Sequence, residues 1–233
     1  MANTSQRYIA FIDILGFKDL VLRSSHTEVL HKLETLSNLI ESIKDVNKDD
    51  IVKTHYEGEE LLPYIFSDSI AIFTKGNSLL SLELLLYACQ YLFSKSITLQ
   101  IPIKGALAHG TITLDNEKSI FFGQSIIDAF LLQEDVKYYG LILHHSVENQ
   151  LAISNEDVFN PENHVIKLKT PTKSGYLLYY NLKYDIESGN PPKPEIEKKL
   201  LESLYNTVSG PPRIYVDNTI SMYSQIKRTK VSS

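Results

Sequence analysis

Hydrophobic and polar positions along this chain fall into blocks of changing period, and each change marks an element. Tyr8 to Ile14 reads YIAFIDI, an apolar run rich in β-formers and interrupted by one carboxylate, with Gly16 two residues beyond; it predicts a buried strand. From Thr27 to Val46 the residues Val29, Leu30, Leu33, Leu36, Ile40 and Ile43 recur at helical intervals between charges, and Asn47 to Asp50 breaks the pattern. Leu61 to Phe73, LLPYIFSDSIAIF, is two apolar runs meeting at Ser67-Asp68-Ser69, which predicts an antiparallel hairpin with its carboxylate at the turn. Leu79 to Phe93 is apolar almost all round, as a buried helix would be. Ile101 to Leu114 predicts a strand with a kink or turn at Gly110, followed by a helix over Gln124 to Gln133 and a strand over Leu141 to His144. Val165 to Leu168 and Gly175 to Leu182 form a hairpin-like pair. A Gly/Pro-rich break at 189–194 precedes two helices, near Glu195 to Val208 and Asp217 to Arg228.

The order strand, helix, hairpin, helix, strand, helix, strand fits an α+β sandwich, with helices over one face of a mostly antiparallel sheet. At 233 residues the chain is one domain plus an extension, or two small ones, and it needs no disulfide or structural metal to hold a core. Its single cysteine, Cys89, sits in an apolar run and is expected to be a buried, inert thiol, which suits a reducing compartment. Met1 to Gln6 lacks the features of a leader, and no apolar run approaches the ~20 residues of a membrane span, so the expectation is a cytoplasmic protein without membrane contact. The 23 Lys and Arg against 28 Asp and Glu, net −5, argue against a nucleic-acid binder, which presents a basic surface to phosphates.

Asp13 and Asp68 stand out because each interrupts an apolar strand pattern. A carboxylate buried there costs several kcal/mol unless it is paired or bound to a cation. If the first strand and the hairpin are neighbours, the two carboxylates meet at strand ends as hard oxygen ligands suited to Mg²⁺ or Mn²⁺ bridging phosphates. The alternative is that each merely caps a turn. His109 and the pair His144-His145 invite a zinc reading, but adjacent histidines on a strand would point to opposite faces.

Four segments, in order, resemble the catalytic domain of class III nucleotidyl cyclases. FIDILGF at 11–17 is similar to the family's opening signature and FSDSIAIF at 66–73 to its second metal-binding hairpin. KGALAHG at 104–110 resembles the Arg-x-Gly-Ile-His-x-Gly strand, and FFGQSIIDAFLLQ at 121–133 resembles the segment from Gly-x-x-Val-Asn to Arg-Leu-Glu. The resemblance implies a ferredoxin-like palm over residues 7–182, a helical C-terminal extension over 190–233, and a head-to-tail homodimer with the active site at the interface. It implies that Asp13 and Asp68 hold two divalent ions, Mn²⁺ or Mg²⁺, with the Ile14 carbonyl as a further ligand. It also implies that the amides of Leu15, Gly16 and Phe17 contact the triphosphate of a nucleoside triphosphate substrate.

The departures carry as much weight. Where adenylyl and guanylyl cyclases place a purine-reading Lys or Glu, this chain has Tyr64. Where they place a transition-state Asn and Arg, it has Ile127 and Leu131. Retained carboxylates with a reworked base pocket resemble the bacterial Pycsar pyrimidine cyclases. That resemblance implies UTP, or CTP, as substrate, cyclic UMP or CMP as product, and a separate effector that reads the product in antiphage defence. Tyr64 would then pack beside the pyrimidine. Lys104, in place of an Arg, is the candidate phosphate contact, with Arg23 or the tail as other sources of positive charge. An adenylyl or guanylyl cyclase, or an inactive nucleotide-sensing module on the same fold, are the alternatives.

Overall fold

The computed structural model describes residues 3–17, 21–22, 24–45, 55–153 and 159–230. The elements in chain order are β1 (Asn3–Ile14), α1 (His26–Asp45), β2 (Leu61–Phe66), β3 (Ser69–Thr74), α2 (Leu79–Thr98), β4 (Ile103–Asp115), β5 (Ile120–Phe122), α3 (Gln124–Asp135), β6 (Leu141–Leu143), α4 (His145–Ala152), β7 (Val165–Thr172), β8 (Gly175–Leu182), α5 (Pro194–Ser203) and α6 (Arg213–Lys230). The sheet runs β2-β3-β1-β4-β6-β8-β7, with β5 on the far end of β4. Every pairing is antiparallel except β4 with β6, so the fold is the expected α+β type with a mostly antiparallel sheet.

The spine is β1 against β4, in register from Asn3↔Leu114 to Ile14↔Ile103. Residues of alternate parity in β1 face opposite sides. Tyr8, Ala10, Ile12 and Ile14 join the main core under α1 and α2, while Ile9 and Phe11 join a second cluster under α3. Asp13 shares the parity of that second face. The strand starts five residues earlier than its apolar run, because polar residues complete the ladder: the Thr4 and Thr113 hydroxyls lie 2.8 Å apart, and Gln6 Nε2 donates to Thr111 Oγ1.

β4 runs unbroken through Gly110, where a turn or kink was expected. Gly110 pairs with Arg7, and a Cβ there would lie 3.3 Å from Ser125 Cβ, so the glycine admits the start of α3. Gly123 does the same from the helix side, since a Cβ on it would fall 2.4 Å from the Thr111 carbonyl oxygen. α2 continues to Thr98, five residues past its predicted end, and Ser78 Oγ caps it by accepting from Ser81 N–H. Cys89 on α2 is fully buried, which pushes its thiol up to about 12. Val46 and the expected break at 47–50 lie outside the described residues.

The C-terminal extension is packed into the main core. Leu201, Leu204, Val216 and Tyr223 are buried in the same cluster as α1 and α2. α6 is also tied to the segment after α3: Thr219 Oγ1 accepts from Tyr139 N–H at 2.8 Å, and Asn218 Nδ2 donates to the Lys137 carbonyl at 2.7 Å. Among the described residues no helix is long and apolar enough to cross a membrane.

Candidate active site

Cross-strand pairing builds the site one row at a time. Phe66, Ser69, Asp13 and Lys104 form one row across β2, β3, β1 and β4, and Tyr64, Ala71, Phe11 and Ala106 form the next. Asp68 follows in the β2–β3 turn, whose first residue, Ser67, takes a left-handed φ of 57°. The turn is tied to the end of β1, because Ile14 N–H donates to the Asp68 carbonyl oxygen at 2.8 Å. The structure thus brings Asp13, Ile14 and Asp68 together.

Burial pushes the Asp13 carboxyl up to about 6; Lys104 opposes the shift, while the Asp68 and Glu134 carboxylates add to it. Two carboxylates on neighbouring strand ends, one of them poorly solvated, form a hard oxygen donor set. Mg²⁺ or Mn²⁺ is commonly held by one or two carboxylates, with substrate phosphates and water completing the shell, and these residues fit that requirement. Among the described residues no cluster of three or more His, Cys, Asp and Glu offers a metal cage made of protein alone.

The sign of the Asp13 shift gives a test. Between its ordinary 3.8 and about 6 the folded chain keeps a proton that the unfolded chain has lost, so stability falls as pH rises through this window. Without divalent ions, the excess in melting temperature of Asp13→Asn over wild type is expected to grow from about pH 4 to pH 6 and then level off. Thermal melts of both proteins across pH 4–8 check it. An excess that stays flat removes the buried-carboxylate account.

The other expected site residues are placed unevenly. After β1 the chain turns at Gly16, whose φ of +73° favours a residue without Cβ. Leu15 N–H donates to the Pro102 carbonyl at 2.9 Å, so this amide is already spent. Lys104 is buried, and its Nζ donates to the carbonyls of Gln133 at 2.9 Å, Glu134 at 3.4 Å and Val136 at 3.5 Å. It therefore caps the C-terminal end of α3, where the helix dipole favours a cation, and stands opposite Asp13 in the ladder. Burial lowers its pKa, while Asp13 and Glu134 hold it up. Arg23 lies outside the described residues.

Tyr64 lies on the same face as Asp13, in an aromatic group with Phe66, Phe73 and Phe121 at centroid distances of 6.3, 5.7 and 4.8 Å. Its hydroxyl donates to Asn116 Oδ1 at 2.8 Å. Asn116 was not picked out from the sequence, although the polar run Asp115 to Lys118 signals the turn that presents it. Tyr215 was missed as well: it comes from the extension, and its ring lies 5.9 Å from the Lys104 ammonium. Ile127 and Leu131 are on the outer side of α3, 51% and 60% exposed, beside exposed Phe130 and Phe122. His144 and His145 do not point apart as strand neighbours would. His144 is the N-cap of α4 and His145 its first residue, so their rings lie 4.0 Å apart.

No family model and no curated protein sequence matches the chain. Solved structures do. The catalytic core of a rhodopsin-guanylyl cyclase with converted specificity, in complex with ATPαS, superposes with a TM-score of 0.58 at 13% identity, covering 78% of this chain and 97% of its own. A bacterial light-regulated adenylyl cyclase gives 0.50 at 14% identity, over 88% of this chain and 100% of its own. A second structure of a bacterial light-regulated adenylyl cyclase gives 0.53 at 13%, over 88% of this chain and 59% of its own. The chain has the class III cyclase-like fold.

Proposed function

We propose that this protein is a divalent-metal-dependent nucleotidyl cyclase acting on a pyrimidine nucleoside triphosphate, UTP before CTP. The observation that carries the reading is the meeting of Asp13 and Asp68 at neighbouring strand ends of a cyclase-like fold, tied by the Ile14 to Asp68 hydrogen bond. The ribose 3′-oxygen attacks the α-phosphorus, its proton is lost, and the bond to the β-phosphate breaks to release pyrophosphate. Asp13 and Asp68 would hold Mg²⁺ or Mn²⁺, which would supply positive charge to the phosphates and lower the pKa of the attacking hydroxyl. The chain's own part is to hold the Asp13 and Asp68 carboxylates in place, and to offer the backbone turn at Gly16 and Phe17 to the phosphates. Lys104 serves by fixing the end of α3 and balancing Asp13.

The pyrimidine preference is supported by Tyr64. An aromatic ring held by Phe121 and anchored through Asn116 cannot form the charged contact of a purine-reading Lys or Glu, and it leaves less room for a base. The apolar surface of Phe122, Ile127, Phe130 and Leu131 suits a partner chain, in keeping with a head-to-tail homodimer. Product release to a separate effector in antiphage defence completes the reading.

Incubation of purified protein with each of the four ribonucleoside triphosphates and Mn²⁺, followed by mass analysis, tests it. Cyclic UMP is the expected main product. Purine products alone would favour the adenylyl or guanylyl alternative, as with the neighbour that binds an ATP analogue; no product with any triphosphate would leave the non-catalytic module.

A further inference from the structure

A cavity of about 570 Å³ lies against the turn that follows Asp13; Ile14 lines it and Asp13 does not. Ile14 to Phe17 lines one wall, Leu33 and Leu36 of α1 another, and residues 206–209 with Tyr215 of the C-terminal extension close it. The volume falls within the roughly 300–1,000 Å³ that accommodates small ligands. The lining is mainly apolar. Among the described residues its one charged lining member is Lys32; the carboxylate that interacts with it, Glu28 one turn earlier on α1, does not line the cavity. Tyr139 adds a polar handle: its hydroxyl is buried beside the Thr207 side chain and makes no hydrogen bond of good geometry.

We propose that this cavity binds a small amphipathic monoanion, an aromatic body with one acidic group, whose anion pairs with Lys32 and whose body wedges between the turn at Gly16 and the C-terminal extension. Lys32 is the source of the charge preference, and the rings of Tyr139 and Tyr215, stacked at 6.2 Å, form an aromatic wall. Occupancy is felt at the site through two routes. Leu15 and Gly16 directly follow the Asp13–Ile14 pair, and Tyr215 both lines the cavity and lies against Lys104, the residue opposite Asp13. The binding claim stands alone; its regulatory consequence rests on the cyclase reading.

The probe is 8-anilinonaphthalene-1-sulfonate, followed by fluorescence, against its uncharged analogue N-phenyl-1-naphthylamine. The expected result is saturable binding of one equivalent, with the uncharged analogue at least about fivefold weaker. Lys32→Glu, and Ser209→Trp at the exposed rim, should each weaken the sulfonate at least about tenfold, the scale of one lost charge pair or a blocked entry. Circular dichroism melts confirm that both variants fold. Binding of several equivalents, unchanged affinity in both variants, or complete displacement by a triphosphate would overturn the site, the last because the cavity would then be part of the nucleotide site. In the cyclase assay a saturating probe should change the initial rate at least about twofold in wild type and not in Lys32→Glu; an unchanged wild-type rate overturns regulation. If no triphosphate is turned over at all, the cyclase reading fails while the titration still decides the cavity.

Discussion

On the proposed cyclase reading, Asp68→Ala is expected to lower cyclic nucleotide formation about 10²–10³-fold, the scale set when a charge-stabilising group is taken from the reacting phosphates. The substitution removes a carboxylate but not the backbone carbonyl that accepts from Ile14 N–H, so the junction of β1 and the β2–β3 turn survives. The melting temperature of the metal-free protein should therefore change little, while its rise on adding Mn²⁺ should shrink or vanish, because binding to the folded state alone is what stabilises it. Asp68→Asn, which preserves the shape of the turn, should be nearly as inactive, since the loss is one of charge. Initial rates of pyrophosphate release and melts with and without Mn²⁺ read both effects. A variant that keeps its rate, or that loses its fold along with its rate, removes Asp68 from the metal site.

What could be read from sequence follows from where the information is local. The β2–β3 hairpin was visible because two apolar runs of matched length flank a polar pair, and the carboxylate in the turn was visible for the same reason. The β7–β8 pair and the break at 189–194 are similarly local. The long start of β1 was not visible, since Asn3 to Gln6 is a wholly polar stretch whose place is secured by hydroxyl and amide partners more than a hundred residues away. Gly110 looked like a kink and proved to be clearance for α3, a requirement only the packed helix reveals. α4 was missed because it is short and half polar, and its cap is a histidine, an unusual choice for that position.

In the site itself, the sequence displayed the carboxylates but not the competition for donors around them. Leu15 carries an amide like its neighbours, and only the approach of Pro102 shows that it is taken. The same holds for Tyr215. Nothing in its local sequence, in the first turn of a helix of mixed polarity just past Gly210-Pro211-Pro212, indicates that the extension folds back to the lysine opposite Asp13. The extension thus belongs to the physical surroundings of the site, although more than a hundred residues separate Tyr215 from both lysine and carboxylate.

Lys104 makes the sharpest separation between a phosphate contact and a structural cation. If its ammonium served the substrate, Lys104→Met would raise KM for the triphosphate and leave the metal-free fold alone. The structure gives that ammonium to three carbonyls at the end of α3 in a nearly sealed setting, 3% exposed, so its removal strands those acceptors and leaves Asp13 without its opposing charge. The expected cost is about 2–4 kcal/mol of folding stability, the range for breaking a buried charged interaction, read as a lower urea midpoint with an unchanged slope. Lys104→Arg keeps the charge and should recover part of the loss. Because Lys104 holds the Asp13 carboxyl down, the Met variant should also push that carboxyl further up and move the acid limb of the pH–rate profile to higher pH. Lower stability with an upward shift of the acid limb establishes the lysine as the positioning residue of this site; a KM change with neither of the other two effects returns it to the phosphate.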